Sequence, residues 1–176
     1  NVFYATTQGA TEYTDKVGDG AGVFKSNDRG NSWTQINNGL DSLETNILTV
    51  DPNDSETLYL GTDDDGVYKS TDGGESWKKL TVSSLSKSFG VGDIIVDPQN
   101  SNNIYIGTVD YFRLSESRGV LGDFGVYKST DGGATWEEFN VGLNHLGVFS
   151  LELSEENRIL YAGTRAGGVY WISLDN

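Results

Sequence analysis

The chain has 176 residues, which corresponds to one domain or a piece of one. Its formal net charge of −14 argues against nucleic acid and anionic membrane surfaces as partners, because both attract basic patches. Cysteine is absent, which excludes disulfides and thiolate chemistry, and no run approaches the ~18 apolar residues of a membrane helix. This composition favours an extracellular or periplasmic location, and a start at Asn1 in a chain without Met leads us to expect a processed or cut end.

Four kinds of short, strand-forming segment recur in a fixed order along the chain. Residues 41–82 contain all four: a segment ending in Asp51-Pro52, one ending in Gly61-Thr62, a Gly-Val-Tyr-Lys segment at 66–69, and one that begins at Trp77. Residues 91–140 repeat the four, whereas residues 1–40 lack the first kind and residues 145–174 lack the last. Equivalent residues lie 46 positions apart, from 51 to 97 and from 62 to 108.

A repeat of this length with four strands is typical of a propeller blade. The sequence therefore predicts an all-β fold, a β-propeller or propeller segment of about four blades with four-stranded antiparallel sheets. The first and last blades are expected to be incomplete, with fourteen strands in all. Three closures remain open: a four-bladed ring, a fragment of a larger ring, or a homo-oligomer in which a second copy completes the ring.

Each complete third strand is followed by an octapeptide with the pattern S-x-D-x-G-x-S/T-W. Its Asp can accept hydrogen bonds from backbone N–H groups of the turn, its Gly allows a positive φ, and its Trp buries a large apolar area. We therefore expect a structural role rather than a catalytic one. The residues at the fixed positions of the three copies are Ser26, Asp28, Gly30 and Trp33; Ser70, Asp72, Gly74 and Trp77; and Ser129, Asp131, Gly133 and Trp136.

The octapeptide resembles the Asp-box, or BNR repeat, and through its repeats the resemblance covers nearly the whole chain. That repeat is found in propellers such as sialidases, xyloglucan-degrading glycosidases, the sortilin ectodomain and a photosystem II assembly factor. The resemblance implies a propeller fold, but it spans enzymes, receptors and assembly factors. A sialidase is disfavoured, because the chain has five Arg and lacks the Arg-Ile-Pro motif of that family.

Two connections between second and third strands, residues 7–21 and 109–124, are about a dozen residues longer than their counterparts in the other blades. Both are expected on the face opposite the Asp-boxes. In the second loop Tyr111 and Phe112 are candidates for stacking on a sugar, and Arg113 or Arg118 for gripping a carboxylate. The alternative is a self-packed loop with solvated charges.

The short loops of the same face carry Arg165 and the run Asp63-Asp64-Asp65. Three adjacent Asp could supply oxygen ligands to Ca²⁺, but a solvated turn is the simpler interpretation. No other metal or cofactor is expected. No pair of carboxylates stands out as catalytic.

The sequence thus favours an extracellular binding or assembly module that presents loops 7–21 and 109–124 to a glycan or protein partner. The alternative is part of a glycoside hydrolase acting on polysaccharide, and the third possibility is a receptor-like or assembly-factor propeller. Whether the chain is an enzyme is left open.

Overall fold

The computed structural model of the chain describes residues 2–8, 20–85, 89–110 and 123–175. All regular elements in these ranges are β-strands, and the same ranges contain no helix long and apolar enough to cross a membrane. In chain order the strands are β1 (Phe3–Thr7), β2 (Gly22–Ser26), β3 (Thr34–Gln35), β4 (Thr45–Asp51), β5 (Asp54–Thr62), β6 (Val67–Ser70), β7 (Lys78–Lys79), β8 (Gly90–Val96), β9 (Ile104–Val109), β10 (Val126–Ser129), β11 (Glu137–Glu138), β12 (Val148–Ser154), β13 (Ile159–Thr164) and β14 (Gly168–Ser173).

The strands form four antiparallel sheets in which each strand pairs with its neighbour in sequence. We call them blade 1 (β1–β3), blade 2 (β4–β7), blade 3 (β8–β11) and blade 4 (β12–β14). Among the described residues, blade 1 has no strand of the innermost kind and blade 4 has none of the outermost kind, which confirms the predicted strand numbers of 3, 4, 4 and 3. The structure is an open propeller segment.

The hydrophobic core lies between blades, in three clusters that each join two consecutive sheets. We call the sheet face that packs on the following blade the trailing face, and the one that packs on the preceding blade the leading face. At the junction of blades 2 and 3, for example, Tyr59 and Val67 of the trailing face pack with Ile94, Ile106 and Trp136 of the leading face. Stability therefore comes from stacking of sheets, since each blade alone would leave both faces in water.

The Gly-Val-Tyr-Lys strands show how one sequence serves both faces. In β6, Val67 and Lys69 point to the trailing face, while Tyr68 and Ser70 point to the leading face. Lys69 pairs with Tyr59 across the sheet, and its Nζ lies 5.2 Å from the centre of that ring. The lysine thus covers the tyrosine with its aliphatic stem and keeps its charge at the edge of the junction.

A threonine at the end of the second strand closes the base of the following loop in all four blades. Its hydroxyl donates to the carbonyl oxygen of the glycine that begins or precedes the third strand. The O···O distances are 3.0 Å for Thr7 to Gly22, 2.9 Å for Thr62 to Gly66, 2.9 Å for Thr108 to Gly125 and 3.0 Å for Thr164 to Gly168. Thr7 is therefore the equivalent of Thr62 and the last residue of β1, so the first long loop begins after residue 7 and not at residue 7, as the sequence predicted.

Polar contacts join neighbouring blades on the side of the Asp-boxes. Arg158, in the turn after β12, donates two hydrogen bonds to the buried carboxylate of Asp97 in blade 3, with N···O distances of 3.0 and 2.6 Å. At the preceding junction the hydroxyl of Ser101 donates to Asp51 at 2.7 Å. The Asp of each Asp-Pro turn therefore ties its blade to the next one.

Blade 4 has no Asp-box, and this leaves a groove at its junction with blade 3. The groove opens to solvent and is lined by apolar side chains, among them Phe139, Leu143 and Leu160. At the other junctions the tryptophan of the box fills this region: Trp77 donates its indole N–H to the carbonyl of Ile36 in blade 1 at 2.7 Å.

Candidate functional site

The Asp-box of blade 2 is a closed network of hydrogen bonds within one turn. The hydroxyl of Ser70 donates to Asp72 at 2.6 Å and accepts from the N–H of Gly74 at 2.9 Å. The carboxylate of Asp72 also accepts from the backbone N–H of Ser76 at 2.9 Å and from its hydroxyl at 2.5 Å. Gly74 has φ +89°, and a Cβ there would lie 2.4 Å from Cδ1 of Ile36, so conformation and the neighbouring blade both require glycine.

The boxes of blades 1 and 3 repeat these bonds. Hydrogen bonds from Ser32, Ser70 and Thr135 are the largest of the effects that lower the pKa of Asp28, Asp72 and Asp131, respectively, to about 2. Carboxylates held ionised in this way cannot donate a proton near neutral pH, which supports a role in the turn. Trp77 and Trp136 are buried, whereas Trp33 is 43% exposed, because it lies on the leading face of blade 1 and no preceding blade covers it among the described residues.

The opposite end of the blades, which we call the box-free face, carries the loops between second and third strands. Tyr111, Phe112, Arg113 and Arg118, which were predicted as ligand-binding residues, lie outside the described residues, as does most of loop 7–21. They remain predictions. The described part of this face centres on the residues that follow the four closing threonines, which are Gln8, Asp63, Val109 and Arg165.

Asp63 is 1% exposed and lies at the junction of blades 1 and 2. Its Oδ2 accepts a hydrogen bond from the side-chain amide of Gln8 at 2.7 Å, and its backbone N–H donates to the carbonyl of Glu44 at 2.9 Å. Its Oδ1 is buried and has no hydrogen-bond partner among the described residues. A buried carboxylate oxygen without a partner is uncommon in proteins and marks this position as a candidate for function.

Burial raises the pKa of Asp63 to about 6, and the nearby carboxylates of Glu44 and Asp64 add to the rise, against the opposing effect of the Gln8 hydrogen bond. Glu44 is itself buried and accepts a hydrogen bond from the N–H of Gly20 at 3.3 Å. Asp63 therefore changes its protonation state close to neutral pH, where it can either donate or accept a proton.

The run Asp63-Asp64-Asp65 does not behave as one solvated turn. Asp64 accepts from the hydroxyl of Ser42 at 3.2 Å, while Asp65 accepts from the hydroxyl of Tyr68 and forms an ion pair with Lys79. The three side chains are thus directed to different partners. Within the described ranges, no three carboxylate or imidazole side chains are grouped as metal ligands, and the calcium site stays a prediction.

Arg165 lies at the junction of blades 3 and 4. Its guanidinium donates to the backbone carbonyl of Asp110 and lies 5.2 Å from the centre of the Phe149 ring. The backbone N–H of Asp110 donates to the carboxylate of Asp123 at 2.8 Å. Arg165 therefore contacts the first residues of loop 109–124 through the carbonyl of Asp110. The sequence alone did not predict this contact.

Sequence reasoning also missed Glu44, because it stands alone between an outer and an inner strand without a periodic pattern or a motif. Its burial results from packing of the connection against Gly20 and Asp63. The one signal in the sequence was the position of this carboxylate at the start of an inner-strand segment, directly before Thr45.

A family model described as sortilin, neurotensin receptor 3 (Sortilin-Vps10) matches residues 21–170 of the chain. The xyloglucanase Xgh74A of Acetivibrio thermocellus is 36% identical over 96 residues, which cover 49% of this chain and 11% of the xyloglucanase.

Among solved structures, a GH74 enzyme of Niastella koreensis aligns with a TM-score of 0.62 at 26% identity, covering 86% of this chain and 24% of the enzyme. An ancestral GH74 enzyme aligns with a TM-score of 0.66 at 24% identity, covering 88% of this chain and 20% of that enzyme. The chain thus spans a quarter or less of the length of these relatives. Because the family model covers most of the chain, and because the Asp-box blades it describes are present in the structure, the chain belongs to the Sortilin-Vps10 family of propellers.

Proposed function

We propose that the box-free face binds a neutral polysaccharide, of the class degraded by the xyloglucanase relative. The observation that carries the proposal is the buried Oδ1 of Asp63, which has no hydrogen-bond partner in the described part of the chain, beside the amide of Gln8. A carboxylate and an amide at one position can accept from and donate to neighbouring sugar hydroxyls. Tyr111 and Phe112 of the long loop are proposed to stack on the sugar rings.

The negative charge of the chain and of this face determines which kind of polysaccharide can bind. The chain carries a net charge of −14, and Asp63, Glu44 and Asp64 lie close together on this face. An anionic polysaccharide would be repelled, whereas hydroxyl groups of a neutral one can be bound. Binding of such a ligand implies an extracellular or periplasmic location, because polysaccharides of this kind do not enter cells.

Binding is tested by isothermal titration of xyloglucan oligosaccharides, with polygalacturonate as the anionic comparison. We expect binding to the neutral ligand, and a loss of about tenfold in affinity for Asp63→Asn, because one strong acceptor is replaced by an amide. Glu155→Gln removes the same charge from an exposed turn at the opposite end of blade 4 and serves as the matched control. The proposal fails if no neutral polysaccharide binds, or if the two variants have the same affinity.

Glycoside hydrolysis is the second candidate, and the pKa of about 6 for Asp63 favours it. A carboxyl group with a raised pKa is suited to protonate the leaving oxygen of a glycosidic bond. Reducing-sugar release from xyloglucan should then decline above pH about 6, where Asp63 loses its proton, and should disappear in Asp63→Asn. If the wild-type chain binds xyloglucan but releases no reducing sugar from it, hydrolysis is refuted and only the binding function stands.

A further inference from the structure

A cavity of about 500 Å³ lies between the Asp-boxes of blades 2 and 3, and we call it the box cavity. It opens to solvent at an inner junction, and both blades that form it have four strands. Its volume is typical of small-molecule sites, which range from roughly 300 to 1,000 Å³. Blade 2 contributes Lys69, Thr71, Ser76 and Lys78 to its wall, and blade 3 contributes Asp131 and Ala134, among others.

Two lysines lie directly opposite each other in the wall of the box cavity. Lys69 of β6 pairs with Lys78 of β7, and directly paired residues of antiparallel strands point to the same face of the sheet. Like charges in this arrangement destabilise a sheet. Lys69 is held in place, because its Nζ donates to the carbonyl of Gly132 at 3.0 Å, and Lys78 is exposed and has no ion pair in the described part of the chain.

The corresponding pairs of the neighbouring blades do not oppose two positive charges. In blade 1 Lys25 pairs with Thr34, and in blade 3 Lys128 pairs with Glu137. Among the blades with a described outer strand, blade 2 alone places a second lysine at this position. In a chain with 26 acidic and 12 basic residues, the lysine pair is therefore a specific feature of the box cavity.

The facing box of blade 3 also carries less negative charge than its counterpart in blade 2. The residue after the two glycines is Glu75 in the box of blade 2 and Ala134 in that of blade 3. The backbone carbonyl that accepts from the first of these glycines belongs to Glu56 in blade 2 and to Asn102 in blade 3, at 2.9 and 3.0 Å. Two carboxylates at the junction of blades 1 and 2 are thus replaced by neutral side chains at the box cavity.

The charge and the residue types of the box cavity point to one kind of ligand group. Among its described lining residues, two lysines outweigh one carboxylate, that of Asp131, although the chain as a whole has a net charge of −14. Lysine is a point charge that suits a tetrahedral phosphate or sulfate group. A planar carboxylate is matched better by the fork of arginine, which is absent from the described wall of the cavity.

From the opposed lysines and the reduced negative charge of the facing box, we propose that the box cavity binds a small molecule of monosaccharide size through a phosphate or sulfate ester. Lys69 and Lys78 bind the anionic group together, which offsets their mutual repulsion. Asp131, Thr71 and Ser76 bind hydroxyl groups of the rest of the molecule. The cavity lies at the opposite end of the blades from the box-free face, so the inference does not depend on the function proposed for that face.

Isothermal titration with glucose 6-phosphate, glucose 6-sulfate and glucose tests the proposal, because the three share one sugar ring. We expect an ester to bind at least about tenfold more tightly than glucose. Lys78→Thr gives blade 2 the pair found in blade 1 and should weaken binding of the ester by about tenfold or more. Ala134→Glu gives the box of blade 3 the residue of the box in blade 2 and should also weaken binding, by repulsion.

Lys79→Gln is the matched control, because Lys79 follows Lys78 in β7 but pairs with Tyr68 and therefore lies on the other face of the sheet. It removes the same charge and should change the affinity by about twofold at most, since salt screens distant charges. Without ligand, Lys78→Thr should be no less stable in urea than the wild type, because the repulsion between the lysines is removed. Its loss of binding then cannot result from unfolding.

The proposal is overturned if neither ester binds, if glucose binds as tightly as the esters, or if glucuronate binds more tightly than both. It is also overturned if Lys78→Thr and Lys79→Gln weaken binding equally, or if Ala134→Glu has no effect. The ester with the higher affinity identifies the group as a phosphate or a sulfate. Asp63→Asn, at the box-free face, should leave the affinity for the ester unchanged, which separates this site from the one proposed above.

Discussion

Replacing Asp63 by asparagine is expected to stabilise the chain at neutral pH. Ionisation of this buried carboxyl is opposed by its surroundings, which raise its pKa from 3.8 to about 6. Such a rise corresponds to about 3 kcal/mol against the ionised folded state. Relaxation of the surroundings around the buried charge lowers this figure, so that we expect a gain of about 1–2 kcal/mol for Asp63→Asn.

The gain should depend on pH with a definite sign. Because the folded-state pKa lies above that of the unfolded chain, the unfolded state loses its proton first as the pH rises. The wild type therefore loses stability between pH about 4 and about 6, and the full loss persists above that range. The amide of the Asp63→Asn variant does not titrate, so the difference in stability between variant and wild type should vanish below pH about 4.

Asp93→Asn is the matched control, because burial also raises the pKa of this carboxyl. Both of its oxygens are in use, however: they accept from the N–H groups of Ile94 and Leu151, each at 2.8 Å. An amide has one acceptor oxygen, so one buried N–H would lose its partner at a cost of about 1–3 kcal/mol.

Urea unfolding followed by tryptophan fluorescence at pH 8 and at pH 4 measures both variants. We expect Asp63→Asn to be more stable than the wild type at pH 8 alone, and Asp93→Asn to be less stable than the wild type. A destabilised Asp63→Asn at pH 8, or a gain of equal size at pH 4, would falsify the argument that burial without pairing sets the pKa.

Two further predictions concern an ion pair between two blades and a hydrogen bond within one blade. Arg158→Asn, which tolerates the positive φ of 49°, leaves the buried Asp97 unpaired and should cost about 3 kcal/mol in urea unfolding. Combining it with Asp97→Asn should cost less than the two single changes added together, and simple additivity would contradict a direct pair. Because Arg158 lowers the pKa of Asp97, the stabilisation by this pair should be lost as the pH falls below about 4. Ser70→Ala removes the acceptor of the Gly74 N–H and should cost about 1–3 kcal/mol, and an unchanged urea midpoint would show that this bond is replaced by water.

The architecture could be predicted from the sequence because the blades repeat short sequence motifs, and each motif determines the structure of its own segment. The Asp-box specifies a turn through bonds among residues at most four positions apart, as the contacts of Asp72 with Ser70 and Ser76 show. Gly-Val-Tyr-Lys specifies a strand that is apolar on both faces. The repeat length then gives the order of the strands, and the order of the four kinds of segment was sufficient to predict the number of strands in each blade.

Contacts between blades could not be predicted in the same way. Asp97 and Arg158 are 61 residues apart, and nothing in either segment points to the other. Asp63 belongs to a run of three Asp that looked uniformly solvated, yet a neighbouring blade buries only the first. The difference arises because burial is decided by the adjacent sheet, which local sequence does not describe.

The threonine that closes each loop base makes the box-free face a natural site for grafting. The same hydroxyl-to-carbonyl bond closes the short loop 63–65 and the much longer loop 109–124. Because the closure entropy of a loop grows only slowly with its length, new segments inserted after Thr62 or Thr164 should be tolerated by the blades beneath them. Evolution or an engineer can therefore exchange the recognition loops of such a propeller one blade at a time, with the scaffold left as it is.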